Sequence, residues 1–392
     1  MSLPSSGSGV YGNARNVGRF IPDHFQIGAV TLQPRVRAKA RTTACLAPPT
    51  AADFNYLGEE FEVTAGITAR NFLGAVTKNY VGAYAKLGVG DFAASKFHAF
   101  KVVDLAADLD YSNRVALGSV PPALTWEVDP QTLGGTGVLA GNLILNRLAS
   151  GEENPLIDIE FGLNTTDDPV DQVGFALDLN LDDLVNPLGN DVARFGPGSV
   201  LAFRYGRLLI DNAYGPETEP LNIPFRVEYF DDDYFILNED DSCTSLFFEV
   251  DTPPPALSFV AGSYQGNLDI GEILLEDTEV ADVEISIYKG RTALQAVGAD
   301  EGKDRSFTTS APGETANVPN DGSVIVEFDL DHGSLPYSLD FLSYDWRTPG
   351  DIQEETQDSD YSDNPRARLE LGRYRGHDRV INWLEIYIGP GQ

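Results

Sequence analysis

The chain has 392 residues, with 60 Asp plus Glu against 27 Lys plus Arg and a formal charge of −33. A field of that sign repels nucleic acid and anionic lipid, so neither is an expected partner. Hydrophobic content of 42%, with 21 Phe and 16 Tyr, is too high for a disordered acidic tail and predicts real cores, enough for two or three domains.

Residues 1–17 read as a flexible N-terminal linker, opened by the Gly/Ser-rich run Met1-Ser-Leu-Pro-Ser-Ser-Gly-Ser-Gly9. That run lacks the charged and apolar regions of a signal peptide. Met1 is the sole methionine, which reads as a start placed ahead of a fragment excised from a longer protein. From residue 18 on, short strands alternate with turns. Strands are predicted over 25–32, 61–67, 100–105, 138–145, 156–161, 200–210, 223–230, 245–250, 283–287, 324–330 and 380–388. In Phe61-Glu-Val63-Thr-Ala65-Gly-Ile67 and Val324-Ile-Val326-Glu-Phe328 every second residue is apolar, the period of a half-buried antiparallel strand. Turn residues separate them, as in Asn71-Phe-Leu-Gly74, Asn186-Pro-Leu-Gly189 and Asn320-Asp-Gly322. Helical periodicity is scarce; 178–185 and 292–297 each have room for a turn or two.

The expected class is all-β: two or three antiparallel, Ig-like β-sandwich modules with long loops. The expected division is a β-sandwich region of one or two modules over 18–195 and an acidic β-sandwich region over 196–392. The triple proline of Asp251-Thr-Pro-Pro-Pro-Ala256 predicts a stiff connection, and the acidic stretch 345–364 a mobile loop. Charge is uneven along the chain. Residues 1–100 hold ten basic groups against six acidic ones, a balance of +4 that leaves −37 for the rest. No run of 18 apolar residues occurs, so insertion of this fragment into a membrane as a helix is not expected.

Familiar catalytic motifs are missing: there is no G-x-S-x-G, S-x-x-K, H-E-x-x-H, C-x-x-C or phosphate-binding loop. Four scattered histidines, His24, His98, His332 and His377, give no zinc spacing. No catalytic residue is singled out, although the abundance of carboxylates leaves a glycosidase pair open. Calcium is the more reasonable ion. Asp167-Asp168, Asp231-Asp-Asp233 and Glu239-Asp-Asp241 cluster oxygen ligands, and Asp178, Asn180 and Asp182 have the spacing that opens an EF-hand loop. Against that, Asp183 stands at the glycine position and Gly189 at the terminal Glu position, and a solvated acidic surface is the plainer alternative. In the basic run near the C-terminus, Arg373, Arg375, His377, Arg379 and Trp383 form a candidate anion or sugar platform. The alternative is that Arg366, Arg368 and the other arginines of the run pair with neighbouring carboxylates. Cys45 and Cys243 are either a disulfide of an exported protein or two buried thiols. Closing so long a loop would stabilise by about 5 kcal/mol in the chain-entropy account.

Several segments together carry a family resemblance: Gly18-Arg-Phe-Ile-Pro-Asp-His-Phe25, Phe54-Asn-Tyr-Leu-Gly58, Tyr205-Gly-Arg-Leu-Leu-Ile-Asp-Asn-Ala-Tyr-Gly215, Asn238-Glu-Asp-Asp-Ser-Cys-Thr244, Leu335-Pro-Tyr337, Asp345-Trp346, Asn364-Pro-Arg-Ala-Arg368 and Gly372-Arg-Tyr-Arg-Gly-His-Asp-Arg379. They resemble the C-terminal region of the MshQ family, associated with mannose-sensitive haemagglutinin (MSHA) type IV pili of Gram-negative bacteria. The resemblance implies an exported, extracellular or cell-surface protein acting in pilus biogenesis or adhesion. It carries no enzymatic activity and implies pilus or cell-surface proteins, and surface glycans, as partners. It also supports the Cys45–Cys243 pairing. The piece from Ala69 to Gly82 is similar to the Ig-like modules of bacterial adhesins. Two other readings stand beside this one: a carbohydrate-binding or glycoside-hydrolysing protein, and a self-assembling structural surface subunit whose basic first segment meets a neighbour's acidic remainder.

Overall fold

The computed structural model describes residues 21–36, 54–88, 92–101, 109–129, 131, 133–148, 151–164, 192–195, 199–215, 221–249, 256–268, 275–276, 282–292, 307–309, 321–333, 335, 337–345 and 362–372. The expected all-β class holds. Among these residues the regular elements are almost all strands and short 3-10 turns, and no helix is long and apolar enough to cross a membrane.

Eleven strands build an N-terminal sandwich: β1 (His24–Gln33), β2 (Phe54–Tyr56), β3 (Glu60–Arg70), β4 (Phe97–Lys101), β5 (Leu109–Asp110), β6 (Val115–Leu117), β7 (Ala123–Trp126), β8 (Thr136–Leu145), β9 (Leu156–Asn164), β10 (Val192–Arg194) and β11 (Val200–Arg204). One sheet runs β1-β3-β8-β6 with β7 on β8; the other runs β2-β11-β9-β4-β5 with β10 on β9. The alternation read in the sequence sets the layers. Phe61, Val63, Ala65, Ile67 and Ala69 of β3 are buried while the residues between them are half-exposed. They meet Phe161 and Phe203 of the second sheet, and the three Phe rings lie 4.9–6.1 Å apart. Trp126, partly buried, packs against this core on Tyr80 and Phe25 and donates its indole N–H to the Leu87 carbonyl at 2.6 Å.

The C-terminal sandwich contains β12 (Gly206–Ile210), β13 (Ala213–Gly215), β14 (Leu221–Ile223), β15 (Phe225–Asp231), β16 (Tyr234–Leu237), β17 (Ser245–Glu249), β18 (Leu257–Phe259), β19 (Gln265–Gly266), β20 (Leu275–Glu276), β21 (Asp282–Tyr288), β22 (Arg291–Thr292), β23 (Phe307–Thr309), β24 (Gly322–Phe328) and β25 (Arg366–Leu371). Its sheets are β12-β15-β22-β21-β17 with β16 on β15, β13-β25-β24-β18 with β19 on β24, and the small β14-β23-β20.

Two expected strands are each split. The run 200–210 is β11 and β12, which belong to different sandwiches, because the chain passes from one to the other at Tyr205. The run 223–230 breaks at Pro224, which has no N–H for a ladder while its carbonyl accepts from Asp211 N at 2.9 Å. The helical turn expected over 178–185, the strand over 380–388 and the linker 1–17 lie outside the described residues. Thr292 ends β22, and 293–297 lie outside as well. Of the acidic loop 345–364 the two ends are described, and they meet: Tyr344 and Asp363 form an antiparallel bridge.

Register gives the N-terminal sandwich two poles. His24 pairs with Arg70 and Thr68 with Thr136 at one; Gln33 pairs with Glu62 and Glu60 with Ile144 at the other. At roughly 3.4 Å per residue these poles are about 30 Å apart. The C-terminal sandwich meets the second pole, where Phe54 and Tyr56 of β2 leave their own sheet's core and join the C-terminal one beside Leu208, Val227, Leu246 and Phe341.

Candidate functional site: a charged seam between the sandwiches

Just past β1 the chain turns at Arg35, whose backbone is left-handed (φ 55°), a conformation costing a non-glycine residue about 1–2 kcal/mol. What holds it there is the side chain. Arg35 Nε donates to both Glu59 carboxylate oxygens at 3.2–3.3 Å, Nη1 to Asp241 Oδ1 at 2.6 Å and Nη2 to Thr244 Oγ1 at 2.6 Å. Its backbone N–H donates to Asn55 Oδ1 at 2.7 Å. The guanidinium carbon also lies 5.0–5.1 Å from the ring centroids of Phe54 and Tyr56.

Asp241 is the counterpart from the C-terminal sandwich, in the loop between β16 and β17. Its Oδ1 accepts from the backbone N–H groups of Cys243 and Thr244 at 3.0 Å, and its Oδ2 from the hydroxyls of Tyr56 at 2.8 Å and Thr244 at 2.6 Å. The Tyr56 oxygen in turn accepts from Asn238 Nδ2 at 2.5 Å. Asn55 Nδ2 closes the other side by donating to the carbonyls of Tyr56 and Glu59.

Arg35, Glu59 and Asp241 are 3%, 2% and 0% exposed, so three full charges sit in the interior. Removing each from water costs several kcal/mol, and only dense mutual bonding offsets that. Burial pulls the Asp241 carboxyl up, but Arg35 and the Thr244 and Cys243 donors outweigh it and hold it below the usual carboxylate range. For Glu59 burial wins over Arg35, and its carboxyl is pushed up. Burial and the Asp241 charge both raise the Tyr56 phenol.

A second cation crosses the same boundary a short way off. Arg147, on the segment after β8, donates from Nη1 to the Ser343 carbonyl at 2.7 Å and from Nη2 to the carbonyls of Gly206 and Phe341. It lies over the Tyr205 ring at 4.4 Å. No carboxylate reaches it among the described residues, and burial lowers its guanidinium from the ordinary value. Gly206 is required between these groups, because a Cβ there would sit 2.5 Å from the Tyr56 ring. Arg204 adds a third tie: it bonds Asn238 and Asp240 (2.6 Å) and lies over Phe54 and Tyr229.

The residues singled out in the sequence fare unevenly. Of the acidic runs, Asp240 and Asp241 are taken by Arg204 and Arg35, while Asp232 and Asp233 form the left-handed tip of the β15–β16 hairpin. Asp178, Asn180 and Asp182 lie outside the described residues, as do Arg373, Arg375, His377, Arg379 and Trp383. Among described residues no group of three or more His, Cys, Asp or Glu could hold a metal ion. Arg366, from the same basic run, pairs with Glu327 on the neighbouring strand β24. Cys243 is buried beside Asp241, and Cys45 lies outside. Arg35, Glu59 and Arg147 were not anticipated. Asp241, Asn55, Tyr56 and Tyr205 all stand in segments that carried the family resemblance, a signal that could have singled them out but was read only as marking the family.

Comparison with protein families divides the chain along this seam. A family model described as DUF6701, third domain, matches residues 5–190, and DUF6701, fourth domain, matches 204–386. The chain carries two DUF6701 domains. No curated protein matches it. The charge divides unequally between them, −8 over 5–190 and −25 over 204–386. Arg35, in the third-domain match, thus bonds Asp241 in the fourth, and Arg147, also in the third, bonds carbonyls of Gly206, Phe341 and Ser343 in the fourth.

Proposed function

We propose that these two DUF6701 domains form a non-enzymatic, rigid structural region of an exported surface protein, serving an MSHA-like type IV pilus system in biogenesis or adhesion. The observation that carries the structural part is the Arg35–Glu59–Asp241 seam: its charges are spent on one another and on Tyr56, Thr244 and Asn55, so they join domains instead of facing a substrate. The pilus part rests on the resemblance to the MshQ family. Deleting the two domains from the protein in the bacterium that makes it should reduce piliation or surface attachment, with the remaining protein still found at the cell surface. Unchanged piliation and attachment would sink the pilus reading. Release of reducing sugar from bacterial or host glycans, lost on a single Asp or Glu change, would replace it with the hydrolase.

Export also bears on the cysteines. We propose the Cys45–Cys243 disulfide as a covalent companion of the seam, since Cys243 N already bonds to Asp241 and Cys45 lies ten residues beyond Arg35. Ten residues span up to about 35 Å, ample for the approach. Thiol titration of the denatured, unreduced protein should find no free cysteine, and two titratable thiols would remove the bond from the account.

A further inference from the structure

The pole of the third domain that faces away from the seam carries apolar side chains that neither core uses. Phe72 and Leu73, in the turn after β3, are 85% and 86% exposed, and Val128 and Leu133 from the β7–β8 loop and Ile21 ahead of β1 are exposed near them. The loops are in contact. Asp23 N donates to the Arg70 carbonyl at 2.7 Å, Ala69 N to the Gly135 carbonyl at 2.7 Å, and a Cβ on Gly135 would lie 2.5 Å from the Thr77 oxygen.

The turn that displays Phe72 and Leu73 is rigidly built. Asn71 Oδ1 accepts from Leu73 N at 3.0 Å and Ala75 N at 2.9 Å, Asn71 N donates to the Ala75 carbonyl and Gly74 N to that of Asn71, both at 2.8 Å. Arg70 Nη1 clamps the Gly74 carbonyl at 3.0 Å while its Nε holds Gln26. Five bonds and a left-handed glycine (φ 76°) thus fix two large apolar groups pointing into water, which marks an interaction surface.

We propose that this pole is the docking surface for the domain that precedes the third in the full-length protein, a second DUF6701 domain stacked end to end. Two observations select that occupant over a separate molecule. The chain runs into β1 at this same pole, with Asp23 bonded to Arg70, so a domain ahead of it is tethered within reach at high effective concentration. The matched domains are numbered third and fourth, and the fourth packs on the third pole to pole, with Phe54, Tyr56 and Phe341 covered between them. The inference needs no pilus.

A test compares the present chain with the same chain extended through its preceding domain. In both, Phe72→Cys is labelled with a polar maleimide and residue 72 is read by peptide mass spectrometry. Labelling should be at least about tenfold slower in the extended protein, as for a group reached only by local opening. Equal rates would overturn the proposal. So would concentration-dependent dimerisation of the present chain that Phe72→Ser abolishes, since the occupant would then be a second copy. As a control on folding, Leu73→Ser should leave the melting temperature of the present chain unchanged and broaden the distribution of end-to-end distances of the extended one. A distribution that stays narrow counts against the docking.

Discussion

Arg35 and Arg147 are two buried guanidiniums on one domain boundary, and the boundary treats them differently. Arg35 has two carboxylates, a hydroxyl and two aromatic faces; Arg147 has three carbonyls and one aromatic face. The first is a charge matched by charge, which makes each partner dependent on the others. The second is a charge solvated by backbone dipoles at the turns around Gly206 and Phe341, which positions those turns but leaves no buried anion behind when it is removed. Specificity of docking therefore concentrates at Arg35, and shape at Arg147.

The largest expected effect breaks the first corner. Asp241→Ala takes one of the two carboxylates from Arg35, leaves its Nη1 and the Tyr56 hydroxyl without their acceptor, and should cost about 3–5 kcal/mol of stability, read as a fall in the denaturant midpoint. Replacing Arg35, Glu59 and Asp241 together with apolar residues of similar volume should recover most of that loss, because no buried charge then lacks a partner. If the single change cost under about 1 kcal/mol, the seam would be a surface pair in energetic terms. Arg147→Met is the matching change at the second corner. It keeps the apolar stem over Tyr205 and strands only carbonyls, so about 1–2 kcal/mol is expected. A loss equal to that of Asp241→Ala would erase the distinction between the corners.

How much of this could be read beforehand depends on the range of the interaction. The long strands β1, β3, β8 and β9 were legible, β3 most of all because it alternates without a break and its burial follows residue by residue, whereas the short β2, β5, β6, β7 and β10 were not read. The crossing at Tyr205 was not, since Val200–Ile210 is continuously strand-like and nothing local shows that β11 and β12 pair into different sheets. The seam was hidden for the same reason. Arg35 and Asp241 are 206 positions apart, and in a chain with 60 acidic residues no single Asp advertises a partner. Counting carboxylates suggested calcium for Glu239-Asp-Asp241, whereas two of the three serve arginines that approach from the N-terminal sandwich.

The smallest effect is a matter of pH, and it separates the two carboxylates of the Arg35 corner by sign. Glu59 has its folded pKa raised by burial, against the pull of Arg35. Its contribution to stability is therefore fully present below the unfolded value near 4.5 and is lost as pH rises through the higher folded value. Asp241 runs the other way: with its folded pKa below 3.8, its contribution is present above that value and is lost in stronger acid. The Arg35 corner is thus strongest in mild acid, and the Arg147 corner has a decline of the same direction, because burial raises the carboxyl of Asp340, which lies beside Phe341 within reach of the Arg147 charge. Glu59→Gln preserves the shape and removes the titration. It should flatten the decline in melting temperature between mild acid and neutrality and change stability least at acidic pH, where the native glutamate is already protonated. His98 on β4 must be controlled in the same scan. Burial lowers its folded pKa below 6.5, so it destabilises as pH falls from neutrality, opposite in direction to Glu59. Asp340 must be controlled as well, since burial raises its carboxyl and its slope has the same direction as that of Glu59; in a His98→Gln, Asp340→Asn background the slope that Glu59→Gln removes is that of Glu59. If Glu59→Gln left that profile unchanged, the charge on Glu59 would be compensated in the folded state, and the Arg35 corner would titrate through Asp241 alone.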